Sequence, residues 1–477
     1  MKSLQKSCAL GLDDDRNLSK NIPNMDIEES VDDFIIERRK SIFLNSANKS
    51  MDFNCETNSV AGSVSQRACV YCGARVVLNP ITDAYHIVHG PIGCASYTWD
   101  IRGSLSSSAE VYRNSFSTDL GEKDVIFGGE KKLTGAIDEI VEKFSPKLIF
   151  VYSTCIVGII GDDVDAVCQK AEEKYNIRVI SVKSPGFAGN KSTGYKMGCN
   201  AIMELMDKSC GHRDTNSINY LGDFNLAGEA WIIRNYLQKL GIKINSTLTG
   251  DSSYESIKKA PSAKLNIVQC AGSMSYLAKR MREAFGIPFI KVSFYGLADI
   301  KRSIYDIANF LNDESIMEKA FDFVSNKEKE TKQNLEIYKK RLDGKKAAIF
   351  VGGGFKAISL IKQFKELGMQ TVMVGTQTGK KDEYETIRDI SDEGTIILDD
   401  ANPVELENFM LEKGADILVG GVKERPLAYK LGVAFCDHNH ERKHALCGYE
   451  GAINFAKEID LSINSSVWNY IRKERGD

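Results

Sequence analysis

The stretch KLIFVYSTCIVGIIGDDVDAVCQKAEEKYNIRVISV, residues 147–182, decides the fold class. It opens on KLIFVY, a near-continuous run of apolar, β-branched and aromatic side chains. The amphipathic segment DDVDAVCQKAEEKY follows at 162–175, and a second apolar run, IRVISV, closes the stretch at 177–182. A strand that is apolar throughout is one buried on both faces, and a helix between two such strands is the crossover of a parallel sheet.

The same figure recurs along the chain. Residues 218–221 precede 229–240 and 242–248; residues 265–270 precede 275–285 and 287–294. Residues 346–351 precede 357–367 and 370–374, and residues 416–420 precede 426–430 and 433–436. A charged segment at 314–342 reads as one long helix, and no solenoid period recurs. The fold class is therefore α/β: three doubly wound, Rossmann-like domains with parallel sheets. The expected divisions are 68–215, 216–343 and 344–477, the last with C-terminal helices. They follow a polar N-terminal extension at 1–67, which carries DDD, EES and ERRKS clusters and predicts a peripheral lead-in with a short helix around 31–42.

The length of 477 residues suits about three domains at roughly 150 residues each. A hydrophobic content of 43% with 27% charged residues excludes disorder throughout. The balance of 62 Lys+Arg against 65 Asp+Glu gives −3, unsuited to coating nucleic acid or an anionic membrane. The longest nearly apolar stretch, 147–161, is too short and polar to cross a bilayer, and the opening MKSLQKSCALGLDDDRN lacks a signal-peptide core. These features predict a cytoplasmic chain with no nucleic-acid or membrane partner. In that reducing compartment its twelve cysteines have three uses: packing, catalysis and metal.

Ligands of doubly wound sheets sit beyond the carboxyl ends of the strands. Cys155 follows KLIFVYST there, ahead of a Gly-rich loop, and Cys270 ends LNIVQC. Cys94 lies in HGPIGCASYTWD, a turn where glycine lets backbone approach a ligand. Cys69 and Cys72 form a C-x-x-C in RACVYCGA. A zinc site would want a second such pair and a thioredoxin motif a different context, which leaves one of the two as an iron–sulfur ligand. The compact ferredoxin run is missing, so a cluster must gather cysteines from separated loops. Cys69, Cys94 and Cys155 supply three thiolates with no obvious fourth, which points to a cluster shared across a subunit interface. Cys168, Cys199 and Cys210 read as small core hydrophobes on helices. His86, in YHIVHGP, reads as packed in a helix turn. Asp437-His438-Asn439-His440 follows the strand VAFC and is a candidate metal or anion contact. GGGF at 352–355 is shaped like an anion nest but lacks phosphate-loop spacing. Neither a serine-hydrolase elbow nor HExxH occurs.

HGPIGCASYTWDIRG, TDLGEKDVIFGGEKKL and VYSTCIVGIIGDDVDAVC closely resemble the nitrogenase component 1 family, from about residue 68 to the C-terminus. The resemblance implies an α-chain-type fold of that family. The family's catalytic α subunit holds its iron–molybdenum cofactor by one cysteine and one histidine. The cysteine matches Cys270 in NIVQCAGSMSYLAKRM. GVKERPLAYKLGVAFCDHN places Lys423 on the lysine near homocitrate and Asn439 on the cofactor histidine. The substrate-pocket histidine expected after SPGF at 184–187 is absent.

A cluster cavity without its histidine anchor resembles a non-catalytic scaffold for maturing the iron–molybdenum cofactor. The alternative is the catalytic α chain of a nitrogenase or a nitrogenase-like ATP-dependent reductase. The scaffold resemblance implies a heterotetramer with NifN and a permanent [4Fe-4S] cluster between the chains, held here by Cys69, Cys94 and Cys155 and not by Cys72. It implies a transient iron–sulfur precursor from NifB, molybdenum and homocitrate added through the nitrogenase iron protein, and catalytic nitrogenase component 1 as acceptor. The precursor residues would be Cys270, Arg102, Lys356, Lys423, His438, Asn439 and His440, since buried anions need fixed cations.

Overall fold

The apolar runs become buried strands wound into three separate sheets. The computed structural model describes residues 38, 41–46, 53, 55, 69–98, 114–209, 214–269, 271–438, 442 and 444–468, without the side chains of 271 and 273. The described residues from 41 to 468 pack as one unit; of the first forty only Arg38 is described. The first described strand, β1 (Ile42–Leu44), belongs to the last sheet.

The first sheet comprises β2 (Ala84–His89), β3 (Ser115–Ser117), β4 (Leu148–Ser153) and β5 (Arg178–Lys183), in the order β3-β2-β4-β5 and parallel throughout. All six residues of β4 are buried, as its apolar sequence demands. The crossover to β5 includes helix Val164–Tyr175. Asp163 caps its start by accepting a hydrogen bond from Ala166 N at 3.0 Å, and Asn176 ends it in the left-handed conformation. The second sheet, also parallel, takes β6 (Ser217–Asp223), β7 (Lys243–Thr249), β8 (Leu265–Val268) and β9 (Phe289–Lys291) in the order β7-β6-β8-β9. The third holds β10 (Lys346–Val351), β11 (Gln370–Thr376), β12 (Ile396–Asp399), β13 (Ile417–Gly420) and β14 (Ala434–Asp437), in the order β12-β11-β10-β13-β14, with β1 outside β12.

Among the parallel strands of each sheet the first lies inside, and the chain runs outward from it both ways; β1 is the antiparallel edge addition. The reversals fall between β2 and β4, between β6 and β8, and between β10 and β13. At such a point successive connections leave toward opposite faces, so the strand ends open onto a crevice. These three crevices position everything described below.

One apolar core joins the second and third sheets: Ile218 and Ile267 share it with Ile349 and Val419. The expected long helix is present as Glu314–Leu342, capped by Asp313, and it packs against the terminal helix Gly448–Ile463. Among the described residues no helix is long and apolar enough to cross a membrane.

The lead-in differs from expectation. The helix predicted around 31–42 does not extend to Ile42, because IFL at 42–44 is an antiparallel strand on β12, with Phe43 8% exposed against the core. Three consecutive apolar residues gain more as a sheet edge, where their backbone groups also find partners, than as a helix end in water. Of the rest of that segment only Arg38 and Ser41 are described, and Ser41 is buried with its carbonyl accepting from Asp399 N at 2.9 Å. Asn45 fastens the strand: its amide donates to the carbonyls of Arg388 (3.0 Å), Ser391 (3.2 Å) and Asp392 (3.2 Å). Asn45→Ala leaves those carbonyls without that donor and should cost about 1–3 kcal/mol. A urea midpoint unchanged from the parent chain would show that the strand is ornamental.

Candidate cluster site and cavity

The crevice between β2 and β4 gathers three cysteines. Cys94 lies on the short helix Ile92–Tyr97 just beyond β2, and Cys155 opens the helix Cys155–Ile160 just beyond β4. Both segments are helical, where the sequence suggested a turn and a Gly-rich loop; the runs IGCASY and CIVGII are long enough for one helical turn once the strand end fixes their start. The two are tied at their roots, because Thr154 donates to the His89 carbonyl from its backbone N (3.2 Å) and from its hydroxyl (3.0 Å). A side chain at Gly90 would collide with Thr154, its Cβ falling 2.1 Å from that hydroxyl.

Cys69 arrives from outside the sheet. It precedes helix Val70–Leu78 and forms an antiparallel bridge with Asn190. That helix lies against Lys191–Leu205 so closely that a Cβ on Gly73 would sit 2.1 Å from the Lys191 carbonyl oxygen. Gly186 N donates to Cys155 Sγ at 3.0 Å, and a Cβ on Gly186 would fall 3.5 Å from Cys69 Cβ. The three thiols are half-buried and free of disulfides. Burial raises the Cys94 thiol above its ordinary range, and the negative charges of Cys155 and Cys69 raise it further.

Among the described residues no three His, Cys, Asp or Glu side chains converge as ligands of one metal ion. A cubane asks for something else: each thiolate bonds a different iron, so its protein sulfurs stand apart. The donor set therefore fits a cluster lacking one ligand. Around it Ile92, Tyr97, Ile159 and Phe187 are exposed. A rim of large apolar side chains on the same short elements is the mark of an interface.

Neighbouring residues take structural roles. Cys72 is buried one turn along from Cys69, and Cys168 and Cys199 are buried on their helices; Cys210 lies outside the described residues. His86 is in strand β2, not a helix turn: its neighbours Ile87 and Val88 continue a buried strand, its ring stacks on Phe150, and Nδ1 meets Tyr152 OH at 2.9 Å. Burial, then the charge of Arg75, holds its pKa far below the usual range. His89 bridges Thr118 (3.0 Å) and Asp162 (3.1 Å).

A cavity opens where strand ends of the second and third sheets face helix Lys191–Leu205. It offers about 90 Å³ of room for solvent-sized groups, opening outward into a wider mouth. Asp223 at the end of β6, Gln269 just after β8, Gly352 and Gly353 after β10, Lys356, Lys191 and Arg442 all line it. Lys356 Nζ donates to the backbone carbonyl of His438 at 2.9 Å. His438 itself is buried behind this wall, its ring against Tyr295 and Phe455 and both ring nitrogens without a hydrogen bond. Burial, then Lys356 and Arg442, keeps that ring neutral. Lys423 is exposed over the Tyr97 ring at 5.9 Å, beside the Cys94 helix, and is not part of the cavity wall. Arg102, Cys270, Asn439 and His440 lie outside the described residues.

Sequence reasoning found Lys356 but missed Gln269, Asp223, Lys191 and Arg442. It searched for metal-ligand types, and only strand-end placement marked Gln269 and Asp223. The charges are unbalanced: Arg442 Nη2 lies 2.9 Å from Glu229 Oε1, and Asp223 is a second buried carboxyl nearby. Burial pushes the Asp223 carboxyl up to about 7, and the negative charge of Glu229 adds to the rise.

The family model for nitrogenase component 1 type oxidoreductases matches residues 69–464, and the chain belongs to that family. The chain is 70% identical over 441 residues to the nitrogenase iron–molybdenum cofactor biosynthesis protein NifE of Clostridium pasteurianum, across 92% of this chain and 97% of that one. The protein of the same name from Methanosarcina barkeri is 49% identical over 451 residues, with the same coverages of 92% and 97%. Among solved structures, nitrogenase Cp1 at pH 5 superposes with a TM-score of 0.85 at 30% identity, covering 93% of this chain and 98% of that chain.

Asp223 has a consequence for pH. Its folded pKa of about 7 lies above that of an unfolded aspartate, so the folded chain keeps a proton that the unfolded chain releases. This group therefore lowers stability as pH rises from about 4 to about 7, with the full loss present above that window. Asp223→Asn should raise the melting temperature more at pH 8 than at pH 5. Equal gains at both values would place the titration elsewhere.

Proposed function

We propose that this chain acts in biosynthesis of the nitrogenase iron–molybdenum cofactor, as the scaffold subunit on which a transient iron–sulfur precursor is held while molybdenum and homocitrate are added. In this reading Cys69, Cys94 and Cys155 hold a permanent [4Fe-4S] cluster whose fourth ligand comes from NifN, in a heterotetramer. NifB donates the precursor, the nitrogenase iron protein brings molybdenum and homocitrate, and catalytic nitrogenase component 1 receives the product. A cluster at the first crevice supplies one-electron storage and a covalent link between chains.

The observation that carries the reading is the pairing of two unlike sites on one family fold. Three free thiols meet at an apolar, exposed rim, which suits a cluster completed by another subunit. The cavity offers cations and N–H donors, which suit an anionic guest that must later leave. Cys270, Arg102, Asn439 and His440 are assigned to that guest on the family motif and Lys356 on its cavity position; Lys423 and His438, carried over on the same motif, stand outside the described cavity wall. The 30% identity to nitrogenase Cp1 favours a second reading, a catalytic α chain. The 70% identity to a cofactor-biosynthesis relative outweighs it.

Cys94→Ala and Cys155→Ala should each lose the cubane, about four irons, and weaken association with the partner, while Cys72→Ala retains both. Anaerobic iron analysis with EPR and gel filtration of the complex reads both quantities. Full iron and normal assembly in either of the first two variants would refute the ligand assignment. Acetylene reduction by the complex with its iron protein at the rate of a true nitrogenase would refute the scaffold.

A further inference from the structure

Two side chains of the cavity wall hold hydrogen-bond donors for which no geometric hydrogen bond is found among the described residues. Gln269 is 2% exposed and Arg442 has 4% of its side chain exposed, yet Gln269 Nε2 and Arg442 Nε and Nη1 have no partner. Buried donors of this kind are rare, and each left alone costs the full desolvation of an N–H group. The amide cannot be relieved by turning over. Gln269 Oε1 accepts from Phe294 N at 3.1 Å, and the reversed amide would set N–H against N–H.

Among the described residues, the nearby acceptors are mostly engaged, and the Tyr295 phenol also lies against the Arg442 guanidinium. Asp223 takes Asn225 N at 2.7 Å and Tyr220 OH at 3.0 Å. Glu229 takes Ala227 N at 2.7 Å, and its other oxygen faces Arg442 Nη2. Glu229 thus holds the guanidinium by one corner, Tyr295 lies beside it, and Nε and Nη1 still make no geometric hydrogen bond among the described residues. The missing partner is an acceptor-rich, anionic guest in the cavity these two side chains line.

We propose that Gln269 and Arg442 donate hydrogen bonds to the sulfides of the iron–sulfur guest, binding it and setting its reduction potential. This rests on the scaffold reading given above. Sulfide-directed hydrogen bonds stabilise the more negative, reduced cluster and so raise its potential. Neither residue need bond iron. Gln269 immediately precedes Cys270 in the sequence, so a donor accompanies the candidate anchor.

The test uses the complete complex with its partner chain, loaded with precursor under anaerobic conditions. Gln269→Met removes the donor without adding charge; Arg442→Lys keeps a cation for Glu229 and removes the guanidinium donors. Each should retain precursor about tenfold less tightly, as expected for one lost hydrogen bond to a charged acceptor. Precursor that does remain should titrate at a lower potential in EPR-monitored redox titration, with the permanent cubane signal unchanged. A purely structural role would leave that potential where it was. Normal retention and an unshifted potential in both variants would overturn this inference and leave the scaffold reading intact. A parent complex that holds no iron beyond the cubane would overturn both.

Discussion

Everything functional in this chain depends on where parallel strands stop. A parallel strand cannot turn back on its neighbour, so each connection must leave the sheet as a crossover. When strand order reverses, two adjacent crossovers depart on opposite faces and the strand ends between them lie uncovered. Backbone N–H groups and the first residues of the following helices then face a crevice. The chain does this three times, and Cys94 with Cys155, Asp223 with Gln269, and Gly352 with the loop before Lys423 all stand at such a place.

The crevices alone would give only three shallow grooves. Close packing of helices converts them into sites. Gly73 and Gly194 let helices Val70–Leu78 and Lys191–Leu205 nearly touch, and a Cβ at Gly194 would fall 2.0 Å from the Val70 carbonyl oxygen. That contact fixes both ends of one bundle: Cys69 reaches the thiol site from one helix start, and Lys191 reaches the cavity from the other. A larger residue at Gly73 or Gly194 would disturb both sites together, although neither glycine lines one.

The fold was legible because its strands are apolar without interruption. Lys346–Val351 and Glu314–Leu342 end where the sequence placed them, because strand and helix periods differ sharply there. β2 was not read: its histidines, His86 and His89, look polar in AYHIVH yet are buried in a sheet. β1 was hidden for the opposite reason, three apolar residues in a polar lead-in whose partner strand lies some 350 residues away. At the site, cysteines at strand ends could be picked out by chemical type and place. Gln269 and Arg442 could not, since a donor becomes informative only when burial removes water and leaves it without an acceptor.

The two sites also differ in the kind of bond each can offer, and that difference matches two residence times. In the proposed reading, thiolate–iron bonds at Cys69, Cys94 and Cys155 would be covalent and suit a group that stays. The described wall of the cavity supplies hydrogen bonds and fixed charge, each worth about 1–3 kcal/mol against a charged acceptor and therefore reversible. Arg442 illustrates the compromise. Bound wholly to Glu229 and Asp223 it would be inert; left wholly free it would be a buried charge of prohibitive cost. Held 2.9 Å from Glu229 and beside Tyr295, it keeps a counter-charge without a guest and, as proposed, could still donate to one. For the proposed scaffold role, a cavity built this way would gain nothing from a stronger ligand set, because a guest that cannot leave could not be passed on.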